Sequence, residues 1–256
     1  MSGRLRIDLN ADVGESVGPW SMGHDALLIR LVSSVNIACG LHAGDPLTIE
    51  RTVAVAVASG AAIGAHPGYP DLVGFGRRDL DLSAEEVEAT VIYQVGAVAS
   101  FARAAGVELR HVKAHGALYN RAARDPGIAA AIARAIRRSG GHLVLVGLAG
   151  SALLDAGREA GLRVAAEAFP DRAYEPDGSL RARRHADAVL TDSEEIATRA
   201  LAMARDGIAV AVDGSVVALE PDTLCLHGDN PAAVDHARAV RRALEDAGIS
   251  IAPVGS

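Results

Sequence analysis

Cysteine and aromatic residues are scarce in this chain of 256 residues. It has 2 Cys, 1 Trp, 4 Tyr and 3 Phe. Two cysteines cannot build the disulfide framework of a secreted scaffold, so a reducing compartment is expected. With few aromatics, a core must be packed from Ala, Val, Leu and Ile; half of the residues are hydrophobic and 22% are charged, which excludes general disorder. Long apolar runs are missing as well. The longest weakly polar stretch, 53–65, is too short to cross a bilayer and contains Ser59, Gly60 and Gly64. Met1 to Arg6 lead directly into Ile7-Asp8, with no room for the apolar region of a signal peptide, so the cytoplasm is the expected location. Positive charge is not in excess: the net charge is −7. The one basic cluster, Arg181, Arg183 and Arg184, is interrupted by Ala182 and followed by Asp187. A nucleic-acid partner is therefore not expected, nor is a membrane.

Short β-branched or apolar runs alternate with longer alanine-rich segments. Strands are predicted at 5–9, 35–39, 61–65, 109–113, 142–146, 163–167, 188–191, 209–212 and 223–226. Helices are predicted at 22–32, 47–59, 84–105, 127–138, 151–160, 193–204 and 232–247. Ser83 with Glu86 forms a capping box, and Asp45-Pro46 and Asn230-Pro231 place an N-cap before a helix-starting proline. Gly60, Gly106, Gly161 and Gly248 close helices. Seven or eight βα units of unequal length, with no linker, predict one parallel-sheet α/β domain over 1–256 and exclude a solenoid.

Polar residues decide between an open sheet and a barrel. Alternation turns Asp8, Asn10 and Asp12 to one face of the first strand. His42 and Asp45 follow the second strand, His66 the third and Lys113 with His115 the fourth. Glu167 ends the sixth, and His227 and Asp229 the last. Ionisable groups just past six strand ends are what a β/α barrel collects at its C-terminal face. The four histidines read either as a metal centre or as acid/base and carbonyl-polarising groups. No HxxxH or HExxH pair occurs, so metal ligands would come from separate strands: Asp12, His42, His66 and His115. An inward Lys113 could neutralise a developing oxyanion or a phosphate; His111, two residues earlier, shares its face, and the sequence does not distinguish among His111, Lys113 and His115. The 74–79 loop, with Arg77 and Arg78, could wrap an anion, and 171–178 is long enough for a lid. Cys225, between Leu224 and Leu226, reads as core rather than nucleophile. Asp8 and Asp12 form a candidate carboxylate pair. There is no GxxxxGK[ST], GxGxxG or GxSxG motif.

Six runs carry a resemblance. They are Asp8-Leu-Asn10-Ala-Asp12-Val-Gly-Glu15, Asn36 to Asp45, Gly64 to Arg78, Val112 to Asn120, Glu167 to Tyr174, and Cys225-Leu-His227-Gly-Asp229. Together they resemble the lactam-utilisation (LamB/YcsF) family; Ala114, where proline is expected between Lys and His, departs from the pattern without removing a functional group. The resemblance implies a distorted, seven-stranded β/α barrel of the glycoside hydrolase and deacetylase type. It also implies ATP-dependent opening of 5-oxo-L-proline to L-glutamate with two partner subunits, B and C; Mg2+ is the ordinary companion expected of ATP. On it, the catalytic candidates are Asp12, His42, His66, Lys113 and His115. The substrate-binding candidates are Asn10, Asp45, Arg77, Arg78, Glu167, Arg172, Tyr174, His227 and Asp229. The alternative is a stand-alone metal-dependent amidohydrolase or deacetylase holding a tightly bound metal. A non-catalytic binding protein is disfavoured, since a scaffold has no need of so many desolvated polar groups.

Overall fold

The computed structural model describes residues 5–227 and 232–255, so Asp229 and the Asn230-Pro231 helix start lie outside the described residues. The chain runs β1 (Arg6–Val13), α1 (Asp25–Leu28) with a 3-10 turn (Ile29–Leu31), β2 (Ser34–Ala38), α2 (Pro46–Ser59), β3 (Ala62–His66), α3 (Ala84–Ala104) and β4 (His111–Lys113). It continues through α4 (Gly116–Ala122), α5 (Pro126–Ser139), β5 (Val144–Leu148), α6 (Ala152–Glu159), β6 (Arg163–Ala168) and α7 (Ser193–Asp206). The last elements are β7 (Ile208–Val210), β8 (Val216–Ala218), β9 (Thr223–Leu226), α8 (Ala233–Asp246) and β10 (Ser250–Ile251).

Seven parallel strands, β1 to β6 and β9, close into a barrel because β9 pairs with both β6 and β1. The strands are buried almost throughout, as expected when helices cover a parallel sheet. The signals in the sequence set several helix ends. The Asp45 side chain accepts from the Leu47 and Thr48 amides at the start of α2, and Ser83 and Glu86 complete the capping box of α3. Along α3, Val87, Val91, Val95 and Val98 form one buried stripe, each contributing about 1.5–3 kcal/mol of burial.

Two predicted strands are not barrel staves. Residues 188–191 contribute only an isolated bridge, Val189 to Arg172, and 209–212 begins a two-stranded antiparallel ribbon, β7 with β8. Both belong to the long excursion from β6 to β9, which is why the barrel has seven staves. The predicted helix 22–32 shortens to one α turn and one 3-10 turn. The short helix α4 was hidden by Gly116, whose φ of 55° at the first helical position reads as a turn. No helix among the described residues is long and apolar enough to cross a membrane.

Gly64 shows how tightly the barrel interior is filled. It pairs with His111 across β3 and β4, and a Cβ there would fall on the His111 ring. Gly64→Ala should displace His111 from its 2.8 Å hydrogen bond to Asn36 and lower unfolding free energy by about 2–3 kcal/mol in urea melts. An unchanged melt would contradict this packing.

Candidate active site

The barrel interior is polar in layers. Lowest lies Asp8, which accepts from Ser33, Ser34 and Thr223 hydroxyls at 2.5–2.7 Å. Above it, Asn10 donates to Thr223 Oγ1 and Glu167 Oε1, and Asn36 donates to Asn10 Oδ1 and Asp12 Oδ1. The upper layer faces a cavity of about 630 Å³ at the C-terminal ends of the strands. Asp12, Glu15, His66, Lys113, His115, Phe169 and His227 line its inner part, and Arg77, Arg124, Arg183 and Arg184 lie among its outer residues.

Lys113 is the centre of this layer. Its Nζ lies 2.8 Å from Glu167 Oε1, 3.0 Å from Asp12 Oδ1 and 2.9 Å from Cys225 Sγ. A lysine has three N–H donors, and three close acceptors occupy them. Burial alone would discharge the amine, yet Asp12, Cys225 and Glu167 hold it well above the ordinary lysine range. Burial likewise pushes Asp12 upward, but His66 and Lys113 outweigh it and keep the carboxyl well below its usual range. Asp8, by contrast, is raised by burial. The two members of the expected carboxylate pair are thus driven apart. Burial also keeps Cys225 a thiol, so it serves as an acceptor on the barrel floor and not as a nucleophile.

Above Lys113 the histidines converge. His66 Nδ1 sits 2.8 Å from the Lys113 carbonyl, and His115 Nε2 sits 2.8 Å from the Phe75 carbonyl. A carbonyl can only accept, so both of these nitrogens carry protons. The opposite nitrogens, His66 Nε2 and His115 Nδ1, face each other at 3.0 Å, with Asp12 Oδ2 3.2 Å from the former. Glu15 Oε1 lies 3.8 Å from His115 Nδ1. His42 is fully buried and stacks on His115 at 3.9 Å, behind it as seen from the cavity.

The structure separates the sequence candidates into groups. Asp12, His66, Lys113, His115, Arg77, Arg172 and His227 reach the cavity. Asn10, Glu167 and His42 stand one layer behind it, holding Lys113 or His115. Asp45, Arg78 and Tyr174 do not join the site. Asp45 spends its oxygens on the α2 amides, the Thr48 hydroxyl and the Gly18 amide, which holds its carboxyl down to about 2. Arg78 is bound to Asp71 within its own loop, and the Tyr174 hydroxyl accepts the Phe169 amide. Arg172 lines the cavity, but its guanidinium donates to the Ala188 and Arg181 carbonyls, so it ties the 171–190 excursion together. Three residues given no role by sequence reasoning belong here: Glu15, Tyr119, whose hydroxyl donates to Glu167 Oε2 at 2.8 Å, and Asp171, 2.8 Å from His227 Nδ1. All three close or sit within the recognisable runs, which was the available signal. The interrupted arginine cluster also acquires a place, at the cavity mouth.

The architecture is that of a closed parallel β/α barrel with an acid- and histidine-lined floor, and the chain belongs to the LamB/YcsF family, whose model matches residues 7–256. Among its relatives, the 5-oxoprolinase A subunit of Tolumonas auensis is 54% identical over 96% of this chain and 98% of its own. That of Chloroflexus aggregans is 56% identical over 96% and 98%. The crystal structure of the lactam utilization protein from Thermus thermophilus superposes with a TM-score of 0.92 at 51% identity, covering 97% of this chain and 99% of that one.

Burial holds His42 well below the ordinary histidine value and brings His111 and His115 to about 3. These rings are neutral when folded and take up protons on unfolding, so stability falls as pH drops below the unfolded value of about 6.5. The loss continues until the folded value is reached. Each ring contributes about 1.4 kcal/mol per pH unit in that window, while Asp12 adds to the loss only below about pH 4. Urea melts of chelator-treated protein at about pH 7, 6 and 5 should show a steeply falling midpoint. A flat profile would show that these rings are not buried as neutral groups.

Proposed function

We propose that this chain is the ring-opening component of an ATP-dependent 5-oxoprolinase, hydrolysing the cyclic amide of 5-oxo-L-proline to L-glutamate together with partner subunits. Identity above 50% along nearly the whole length of relatives named as 5-oxoprolinase A subunits carries this reading. That name supports a multi-subunit assembly, and B and C are the expected companions. The cavity supports the chemistry, since arginines and proton-accepting groups both line it.

A five-membered lactam is a resonance-stabilised amide, and water attacks it slowly. ATP supplies the phosphoryl group that, transferred to the amide oxygen, removes the amide resonance and activates the ring carbon toward water. This chain has no phosphate loop of its own, so the partners hold most of the nucleotide, with its Mg2+. The outer arginines, Arg77 and Arg183, receive the substrate carboxylate and the phosphoryl oxygens. On the floor, His66 Nε2 takes a proton from the water that adds to the activated carbon and returns it to the ring nitrogen as the C–N bond breaks. The γ-glutamyl phosphate left behind is hydrolysed by a second water to glutamate and phosphate. Asp12 stabilises the imidazolium that forms, as the 3.2 Å contact allows. His115 holds the water from the other side. Lys113 has no spare donor for an oxyanion; it acts as a positioning residue that fixes Asp12 and Glu167.

Glutamate formation from 5-oxoproline should require this chain, ATP and both partners. Asp12→Asn and His66→Ala should each lower turnover by at least about 100-fold, with the complex still assembled. Full activity in either variant, or glutamate formed by the chain alone without ATP, would contradict the proposal.

A further inference from the structure

We propose that Asp12 Oδ2, His66 Nε2 and His115 Nδ1 form a binding site for one divalent transition-metal ion of the zinc class. The argument starts from protons. The carbonyls of Lys113 and Phe75 fix which nitrogen of each ring is protonated, so in the neutral rings two lone pairs and a carboxylate oxygen point at one another with no donor between them. Such a cluster is repulsive unless a cation, either a metal ion or one further proton, joins it.

The spacing fits an ion. Ligand atoms about 2.0–2.2 Å from zinc, at octahedral or tetrahedral angles, are about 2.8–3.6 Å apart. The two measured separations here are 3.0 and 3.2 Å. One donor from each of the three residues lies within 4.8 Å of the others, and the same holds for Glu15, His42 and His115. The supporting shell has the form metal sites use: each histidine gives its other N–H to a backbone carbonyl, which fixes tautomer and ring orientation. Asp12 is held by its other oxygen, Oδ1, through Lys113 and Asn36, leaving Oδ2 turned to His66. A second observation is independent of these contacts. His42 is fully buried against His115, and neither of its ring nitrogens has a hydrogen-bond partner. It thus offers a further lone pair beside the cluster. Mixed imidazole and carboxylate donors select zinc, cobalt, nickel or iron over magnesium and calcium. Asp12, His66, His115 and Glu15 all line the cavity, so an ion there faces the substrate space.

The proposal concerns what the cluster binds: an ion there takes the same His66 Nε2 lone pair that serves as base in the lactam reading, so the ion-bound and proton-accepting forms are alternatives, and binding is tested on its own. Its test is therefore direct binding to the full chain, made metal-free by chelation and titrated with Co2+ and Zn2+. The expected result is about one ion per chain, visible ligand-field absorption with Co2+, and a higher Tm on saturation. His115→Ala and Asp12→Asn should weaken binding by more than about 100-fold, beyond the effect of losing an outer partner. His142→Ala, on the surface, should not weaken it. Substoichiometric uptake, or binding that survives both cluster substitutions, would overturn the proposal. Should the variants fail to fold, ring-nitrogen NMR of the unaltered protein decides: Zn2+ must shift His66 Nε2 and His115 Nδ1, and unmoved resonances would refute the site.

Discussion

A lysine ammonium buried between two carboxylates is the constraint on which this site depends. Lys113 and Glu167 are almost inaccessible to water, and Asp12 is nearly so. An isolated charge at that depth would cost several kcal/mol, so each member is tolerable only while the others are present. The surrounding polar side chains make the arrangement specific. Asn10 and Tyr119 satisfy Glu167, Asn36 satisfies Asp12, and His111 fixes Asn36 in turn. The consequence reaches the reacting surface: with Oδ1 bound to Lys113, Asp12 has only Oδ2 to offer upward, and His66 receives it.

The barrel supplies the positions for this network. Alternation on β1 stacks Asp8, Asn10 and Asp12 in successive layers, and parallel pairing brings the ends of β3, β4, β6 and β9 around them. Gly64 leaves the space that the His111 ring fills. The excursion between β6 and β9 adds no stave; it adds a wall, held by Arg172 to the Ala188 and Arg181 carbonyls and bringing arginines to the mouth. The resulting cavity has several arginines, with Asp79 and Asp177, among its lining, over a floor of carboxylates and imidazoles around Lys113.

Much of this was legible in the sequence, for identifiable reasons. Period-2 alternation exposed the β1 triad, and ionisable groups past the strand ends distinguished the barrel from an open sheet. Helix caps at Asp45 and Ser83 were readable because they depend on local chemistry alone. What failed depended on tertiary partners. Asp45 was read as a site residue for its place after β2, but its oxygens serve the helix it caps. Arg78 and Tyr174 lie in recognisable runs yet bond to Asp71 and to the Phe169 amide. Residues 188–191 have strand-like composition, but no neighbouring stave is free to pair with them. Glu15, Tyr119 and Asp171 escaped because their partners, His115, Glu167 and His227, are up to 100 residues away in sequence.

The most direct test of this account is a double-mutant cycle on Lys113 and Glu167, read as unfolding free energy. Lys113→Met alone strands two buried carboxylates, and Glu167→Gln alone leaves the ammonium short of a counter-charge. Combined, they remove both members of the pair at once. The account predicts a loss in the double variant smaller than the sum of the single losses by at least about 2 kcal/mol. Additivity within about 0.5 kcal/mol would show that the two charges are not coupled, and the organisation of the site around Lys113 would be wrong.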